Sequence, residues 1–312
     1  MPFNIPLKNR YIFFLFLSLF LVGIYIFKDY GLTIDDEYYR KNGVFYKNFI
    51  LNYLHHLINF NFNEIRNLYE GIEDNTLRNH PAIFETFLAF LSDLIKLENI
   101  DEIYHLSHLL NFTIYLIGLI LLYKIIEDRF NNINISILCV LLIFFSPRFF
   151  AESFYNSRDI FFFSLFVFFI FSTQKLINYE NYKNILLVSL SSALLINAKI
   201  LGIIPFLIFL TMYSIFISEK KNFKLKDLKT IFALVIFTFL FIVILWPYLW
   251  VNPIKNFLTA YKDIINAHNS LSVITFFNGE YISSENTPWF YRIIWFYITT
   301  PTIICILFSF SS

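Results

Sequence analysis

The chain has 312 residues, 57% hydrophobic, 21% aromatic and only 15% charged, with a net charge of +1. Soluble domains carry about 25% charged residues, so this deficit, with a mean hydropathy of +0.61, excludes an ordinary soluble domain and marks an integral membrane protein. A near-neutral chain has no global field to draw it to nucleic acid. The two cysteines, Cys139 and Cys305, lie far apart in apolar runs and support neither a metal site nor a disulfide framework.

Lys8 and Arg10 precede the first apolar run, 11–27. A signal-peptide core has about 7–15 residues, and Lys28-Asp29-Tyr30 offers no small-residue cleavage site, so this run reads as an uncleaved anchor with its N-terminus inside. Just after it, Gly31 to Arg40 carries three consecutive carboxylates, Asp35, Asp36 and Glu37. The segment 28–103 is mostly polar and is expected on the outer face. Within it, 82–97 has helical periodicity, with Phe84, Phe87, Leu88, Leu91, Leu94 and Ile95 on one side and Glu85, Ser92, Asp93 and Lys96 on the other. At 1.5 Å per residue it reaches only about 24 Å, short of the roughly 30 Å hydrocarbon core, so it is expected to lie along the interface.

Spanning helices are expected at 104–126, 133–147, 160–176, 185–198, 200–217, 230–247 and 289–310. With the anchor they make about eight spans in one all-α transmembrane domain over 1–312. Alternation puts 218–229 inside, where Lys220, Lys221, Lys224, Lys226 and Lys229 outweigh Glu219 and Asp227, as the positive-inside rule requires. Four segments then share the outer face: 28–103, a short loop 148–159, the tight turn Asn197-Ala198-Lys199, and 248–288. Trp246, Tyr248, Trp250 and Trp289 flank the last of these as an aromatic belt.

Several polar groups on that face could carry chemistry. Asp35-Asp36-Glu37 is either a solvated loop end or an acid/base or metal-binding centre; adjacent carboxylates raise one another's pKa, which suits proton abstraction from a hydroxyl. Ser146-Pro147-Arg148 through Glu152, Tyr155, Asn156, Arg158 and Asp159 is the densest polar island between two apolar spans, and ionisable groups at membrane depth are functional candidates by default. Lys199 either snorkels to the interface or meets a phosphate. Asn79-His80-Pro81 precedes the amphipathic helix, and Pro81 suits a first helical turn, so an incidental His80 is the simpler reading there. Trp246 to Trp250, His268, Trp289 to Arg292 and Thr299-Thr300-Pro301 hold aromatics that fit a belt or a sugar platform, with Arg292 able to clamp a phosphate.

These pieces, in this order, resemble the phospholipid carrier-dependent glycosyltransferases of the protein O-mannosyltransferase-like group, which have the GT-C fold and include aminoarabinose transferases. The resemblance rests on Asp36-Glu37 after the first span, His80-Pro81 before a juxtamembrane helix, and Ser146-Pro147-Arg148 through Tyr155-Asn156 to Asp159. It continues with Asn197-Ala198-Lys199, Trp246-Pro247-Tyr248, Pro288-Trp289-Phe290-Tyr291 and Thr299-Thr300-Pro301.

The resemblance implies a GT-C-type helical bundle that moves a sugar from a polyprenyl-phosphate donor to a hydroxyl of a lipid, glycan or protein acceptor, with inversion. Asp36 would be the general base, Glu37 its support and Asp159 the second acid. His80, Arg148, Tyr155, Asn156, Arg158, Lys199, His268, Trp289 and Arg292 would bind substrate. No cofactor is demanded, and a divalent metal on Asp36, Glu37 and Asp159 stays open. Implied partners are the lipid-linked sugar, the acceptor and membrane lipids, without nucleic acid. The implied location is the bacterial plasma membrane, with the N-terminus cytoplasmic and the active site on the periplasmic face. Relatives usually continue with further spans, so a short or C-terminally truncated member is expected. Two other readings stay open: a lipid or solute transporter, which would want charges near the bilayer midplane and an internal repeat, and a non-catalytic membrane subunit.

Overall fold

A computed structural model describes residues 7–73, 78–219, 225–270 and 273–311. The chain folds as α1 (Leu7–Ile26), α2 (Asp36–Ile58), α3 (Phe62–Glu73), α4 (Ile83–Ile95), α5 (Ile100–Phe130), α6 (Ile133–Phe144), α7 (Pro147–Tyr155), α8 (Asp159–Asn178), α9 (Tyr182–Ala198), α10 (Ile203–Ser218), α11 (Leu225–Leu245) and α12 (Pro253–Ser270). A hairpin of β1 (Ile274–Phe277) and β2 (Glu280–Ser283) follows, then α13 (Tyr291–Thr299) and α14 (Thr302–Ser311).

Asparagines start three of these helices. The side chains of Asn99, Asn132 and Asn181 accept the first free amides of α5, α6 and α9, donors that a helix cannot satisfy internally. The hairpin turns at Asn278-Gly279, whose φ values of 52° and 91° suit a two-residue loop between twisted strands. This hairpin is a small departure from the all-α expectation, and with α12 it gives the expected outer segment 248–288 regular structure.

Among the described residues, four helical units are long and apolar enough to cross a membrane: Ile100–Phe130, Asp159–Asn178, Ile200–Ser218 and Leu228–Leu245. They make this an integral membrane protein of mainly helical structure. They contain or overlap the expected spans 104–126, 160–176, 200–217 and 230–247. The expected span 133–147 and the expected loop 148–159 are both corrected. Together they form α6 and α7, a pair bent by 65° that counts as a fifth span if it is one element. Pro147 supplies the reason: it has no N–H for the ladder, and it forces Ser146 into an extended conformation with ψ of 117°. The expected span 289–310 is corrected in the same way. It is two short helices of 9 and 10 residues, broken where Pro301 holds Thr300 extended. The expected spans 11–27 and 185–198 correspond to shorter apolar helices. The lysines of 220–224 lie outside the described residues.

α5, α8, α9 and α11 pack side by side in that order. α9 presents buried Ser189, Ser191, Ser192 and Ala193, and small residues let helices approach closely without water. Ser189 Oγ donates to the Leu234 carbonyl at 3.4 Å, and Asn197 Nδ2 to the Ile242 carbonyl at 3.3 Å. α10 and α11 leave Ile204, Leu207, Ile208, Phe232, Phe239 and Ile244 exposed, surfaces that a hydrocarbon environment would cover.

α4 corrects the amphipathic reading of 82–97. At 13 residues it is too short to span, as expected, but its buried face is the one with Phe84, Glu85, Leu88, Ala89 and Ser92, packed against α2. Phe87, Leu94 and Ile95 are exposed. Glu85, placed by periodicity on the solvent side, is thus inside the protein.

The segment 78–81 is clamped from four sides. Tyr46 Oη and Trp246 Nε1 both donate to the Arg78 carbonyl, at 3.0 and 3.1 Å. Asn42 Nδ2 donates to the His80 carbonyl at 3.0 Å, and Asn79 Nδ2 to Asp263 of α12 at 3.2 Å. Tyr46 and Trp246 are both almost completely buried. Because one carbonyl accepts both, Tyr46→Phe or Trp246→Phe should each cost about 1 kcal/mol, and the double variant more than the sum. Thermal unfolding of the detergent-solubilised set reads this, and strict additivity would show that the shared carbonyl does not couple them.

Candidate functional site

The chain enters α2 under tight control. The Tyr30 ring stacks on Phe154 at 4.3 Å, and Phe154 on Phe112 at 4.7 Å, which ties the entry to α7 and α5. Thr33 N–H then donates to Asp36 Oδ2 at 2.6 Å. Asp36 and Glu37 form the first turn of the helix, where the dipole favours negative charge. The acidic cluster is therefore a helix start rather than a loop.

A cavity of about 440 Å³ opens beside this turn. Asp35, Asp36 and Tyr39 line it from α2 and its approach, and Asn79, His80 and Pro81 from the clamped segment. Tyr155, Asn156, Ser157, Arg158 and Asp159 contribute from the α7–α8 junction, Ala198 to Leu201 from the turn after α9, and Trp246 from the end of α11. The cavity thus sits at the common end of the packed helices.

Asn156 organises the junction. Its Oδ1 accepts from Asp159 N–H at 2.9 Å and Arg158 N–H at 3.2 Å, so it caps α8. Its Nδ2 donates to Asp159 Oδ2 at 3.0 Å and to Glu152 Oε2 at 3.2 Å. Lys199 pairs with Asp159 Oδ1 across the cavity. Glu152 also accepts from Arg148 Nε at 2.8 Å. A continuous polar chain therefore runs Arg148, Glu152, Asn156, Asp159, Lys199.

Arg158 lies over the Tyr39 ring at 4.2 Å, a cation–π contact. Its Nη2 is 3.3 Å from His80 Nδ1. Guanidinium can only donate, so Nδ1 is the acceptor and a neutral His80 carries its proton on Nε2. Burial, helped by Arg158, pushes His80 down to about 4. His80 is thus neutral at pH 7 and offers the cavity a donor rather than a positive charge. Behind this wall, Ser157 Oγ donates to Glu85 Oε1 at 3.4 Å. Burial raises the pKa of Glu85 above the ordinary carboxylate value, against the opposing pull of Arg158.

These two groups shape stability in opposite senses. Folded His80 stays neutral down to about pH 4 while the unfolded ring protonates near 6.5, so its contribution is lost as pH falls through that window. Folded Glu85 holds its proton to higher pH than the unfolded carboxyl does, so stability falls as pH rises through that window. Glu85→Gln should therefore raise the Tm by a few degrees at neutral pH and leave the acid limb in place. Thermal unfolding across the pH range measures it; an unchanged neutral Tm would show that Glu85 carries no such penalty.

Of the residues singled out in the sequence, Asp36, His80, Tyr155, Asn156, Arg158, Asp159 and Lys199 share the cavity. Others do not. Glu37 turns to Lys41, 2.7 Å away on the exposed side of α2, and this bond lowers its pKa. Arg148 lines a different cavity. Trp289 and Arg292 are exposed and line neither. The His268 side chain lies outside the described residues. With Glu37 turned away and Asp159 tied to Lys199, the three acids do not fit a metal, and no cluster of metal-binding side chains occurs among the described residues.

Sequence reasoning missed Tyr39, Ser157 and Glu85, and named Asp35 in the acidic cluster without giving it a role. A signal existed for Tyr39: an aspartate before two more acids is a helix-start pattern, and Asp35 and Tyr39 are then one turn apart. No local signal marks Glu85, because its burial depends on α2 crossing α4.

No family model matches the chain, and the searches of curated proteins and of solved structures gave no match.

Proposed function

We propose that the protein is a membrane glycosyltransferase that takes a sugar from a polyprenyl-phosphate donor and passes it to an acceptor hydroxyl, with inversion. The observation that carries this reading is the meeting of a carboxylate, Asp36, with two cations, Arg158 and Lys199, in one cavity at the end of the apolar helices. A base and a phosphate clamp are the two functions such a transfer needs, and a lipid donor reaches that depth from the bilayer.

In the step, the acceptor oxygen attacks the anomeric carbon while the bond from that carbon to the phosphate oxygen breaks. Asp36 takes the hydroxyl proton, and the polyprenyl phosphate leaves as an anion beside Arg158 and Lys199. Asp159 and Asn156 hold Lys199 in place. His80 contributes a neutral Nε2–H donor. The buried Asn79 Oδ1, which has no hydrogen-bond partner among the described residues, suits a sugar hydroxyl. In this reading the cavity faces the periplasmic side, and the helices belong to a GT-C-type bundle.

Full-length protein in liposomes with radiolabelled polyprenyl-phosphate hexose or pentose and a membrane-lipid acceptor pool should release polyprenyl phosphate and label the acceptor. Solute uptake without glycosyl transfer across that panel would sink the reading and favour a transporter.

A further inference from the structure

A second cavity, of about 820 Å³, opens between the start of α7 and the break that separates α13 from α14. Its walls include Arg148, Tyr291, Trp295, Thr300 and Thr302. Arg148 is bound to Glu152 through Nε alone. Among the described residues its two terminal nitrogens have no hydrogen-bond partner, and its side chain is 58% exposed. A guanidinium held by one edge presents the other edge as a planar fork, the geometry that grips a phosphate.

The aromatic wall is braced. Tyr291 packs on Phe277 of the hairpin at 4.9 Å, its hydroxyl lies 3.4 Å from Thr275 Oγ1, and Trp295 meets its ring at 6.3 Å. Fixed aromatic rings beside a fork and threonine hydroxyls suit a polyhydroxylated ring that bears a phosphate. Ile298, Ile303, Ile306 and Leu307 are exposed on the two helices that flank the mouth. An apolar skirt of this kind admits an occupant from the bilayer rather than from water.

We infer that this cavity binds the phosphorylated, polyhydroxylated headgroup of a membrane lipid. It is joined to the first cavity by the polar chain from Arg148 to Lys199. If the transfer reaction proposed above holds, the occupant is its second substrate; binding itself does not depend on that reaction.

Native mass spectrometry of the full chain, released from nanodiscs of phosphatidylcholine doped with phosphatidylinositol or with phosphatidylglycerol, tests it. Phosphatidylinositol should be retained in preference to phosphatidylglycerol. Arg148→Ala should weaken its retention about tenfold, because a charge-assisted pair is lost. Arg148→Lys, which keeps the charge without the fork, should fall between, and Trp295→Ala should remove the preference for the ring. Arg66→Ala, on the exposed face of α3, should change nothing. Equal retention by wild type and Arg148→Ala, both with the wild-type circular dichroism spectrum, would overturn the inference. So would displacement of the lipid by soluble inositol 1-phosphate at equal concentration, since a free anion would then be the ligand. Lost transfer with retained binding would overturn the reaction alone, and lost binding with intact transfer the inference alone.

Discussion

For the proposed reaction, Asp36→Asn should lower glycosyl transfer by about 10²–10⁴-fold, the range a positioned general base contributes. The amide oxygen can still accept from Thr33 N–H, now 2.6 Å from Oδ2, so the entry to α2 keeps its shape while the basic oxygen is lost. The expected signature is a fall in kcat with little change in KM for the lipid donor, since proton abstraction belongs to the transition state. Glu37→Gln is the discriminating companion. Glu37 is exposed and paired with Lys41 outside the cavity, and exposed ion pairs contribute little, so transfer should change by no more than a few-fold. Single-turnover assays on both variants decide the matter. Wild-type transfer by Asp36→Asn would end its assignment as base, and equal damage from Glu37→Gln would return the role to the adjacent pair.

Gly43→Ala should destabilise the fold by about 3 kcal/mol, the upper end of overpacking costs. Gly43 sits where α2 crosses α4, and a Cβ there would lie 2.3 Å from the Glu85 carbonyl oxygen and 2.4 Å from its carbon. These are backbone atoms, so no rotamer change relieves the contact and the helices must part. Alanine's helix propensity returns only about 1 kcal/mol. Parting the helices also draws Glu85 from Ser157, so the cavity wall loosens. Gly71→Ala on α3 meets nothing within 4 Å and should stabilise by about 0.5–1 kcal/mol, the ordinary helical gain. Thermal unfolding in detergent compares the two, and a Gly43→Ala protein as stable as wild type would show that the helix crossing is not close.

Much of the architecture is legible along the chain. Apolar runs longer than the hydrocarbon core is thick mark the membrane helices, because lipid leaves the backbone no partner but itself. Asn99, Asn132 and Asn181 mark helix starts, and Pro147 and Pro301 mark the two breaks, though the 65° bend at the first is visible only in the structure. Those are local effects, set by one residue and its neighbours.

The membership of the cavity is not local. α2 begins at Asp36, and successive residues on a helix diverge by about 100°, so Asp36 faces the cavity and Glu37 faces Lys41. Arg148 at the start of α7 and Arg158 at the junction beyond its end reach different cavities, although they lie only ten positions apart in the same polar island. Glu85 is buried because Gly43 lets α2 approach its backbone. Sequence by itself determined that this chain belongs in a membrane, where its long apolar helices run, and that charge gathers between them. Only the tertiary structure decided which charges meet, since that depends on rotation and crossing of helices distant in sequence, and no residue's own neighbours encode it.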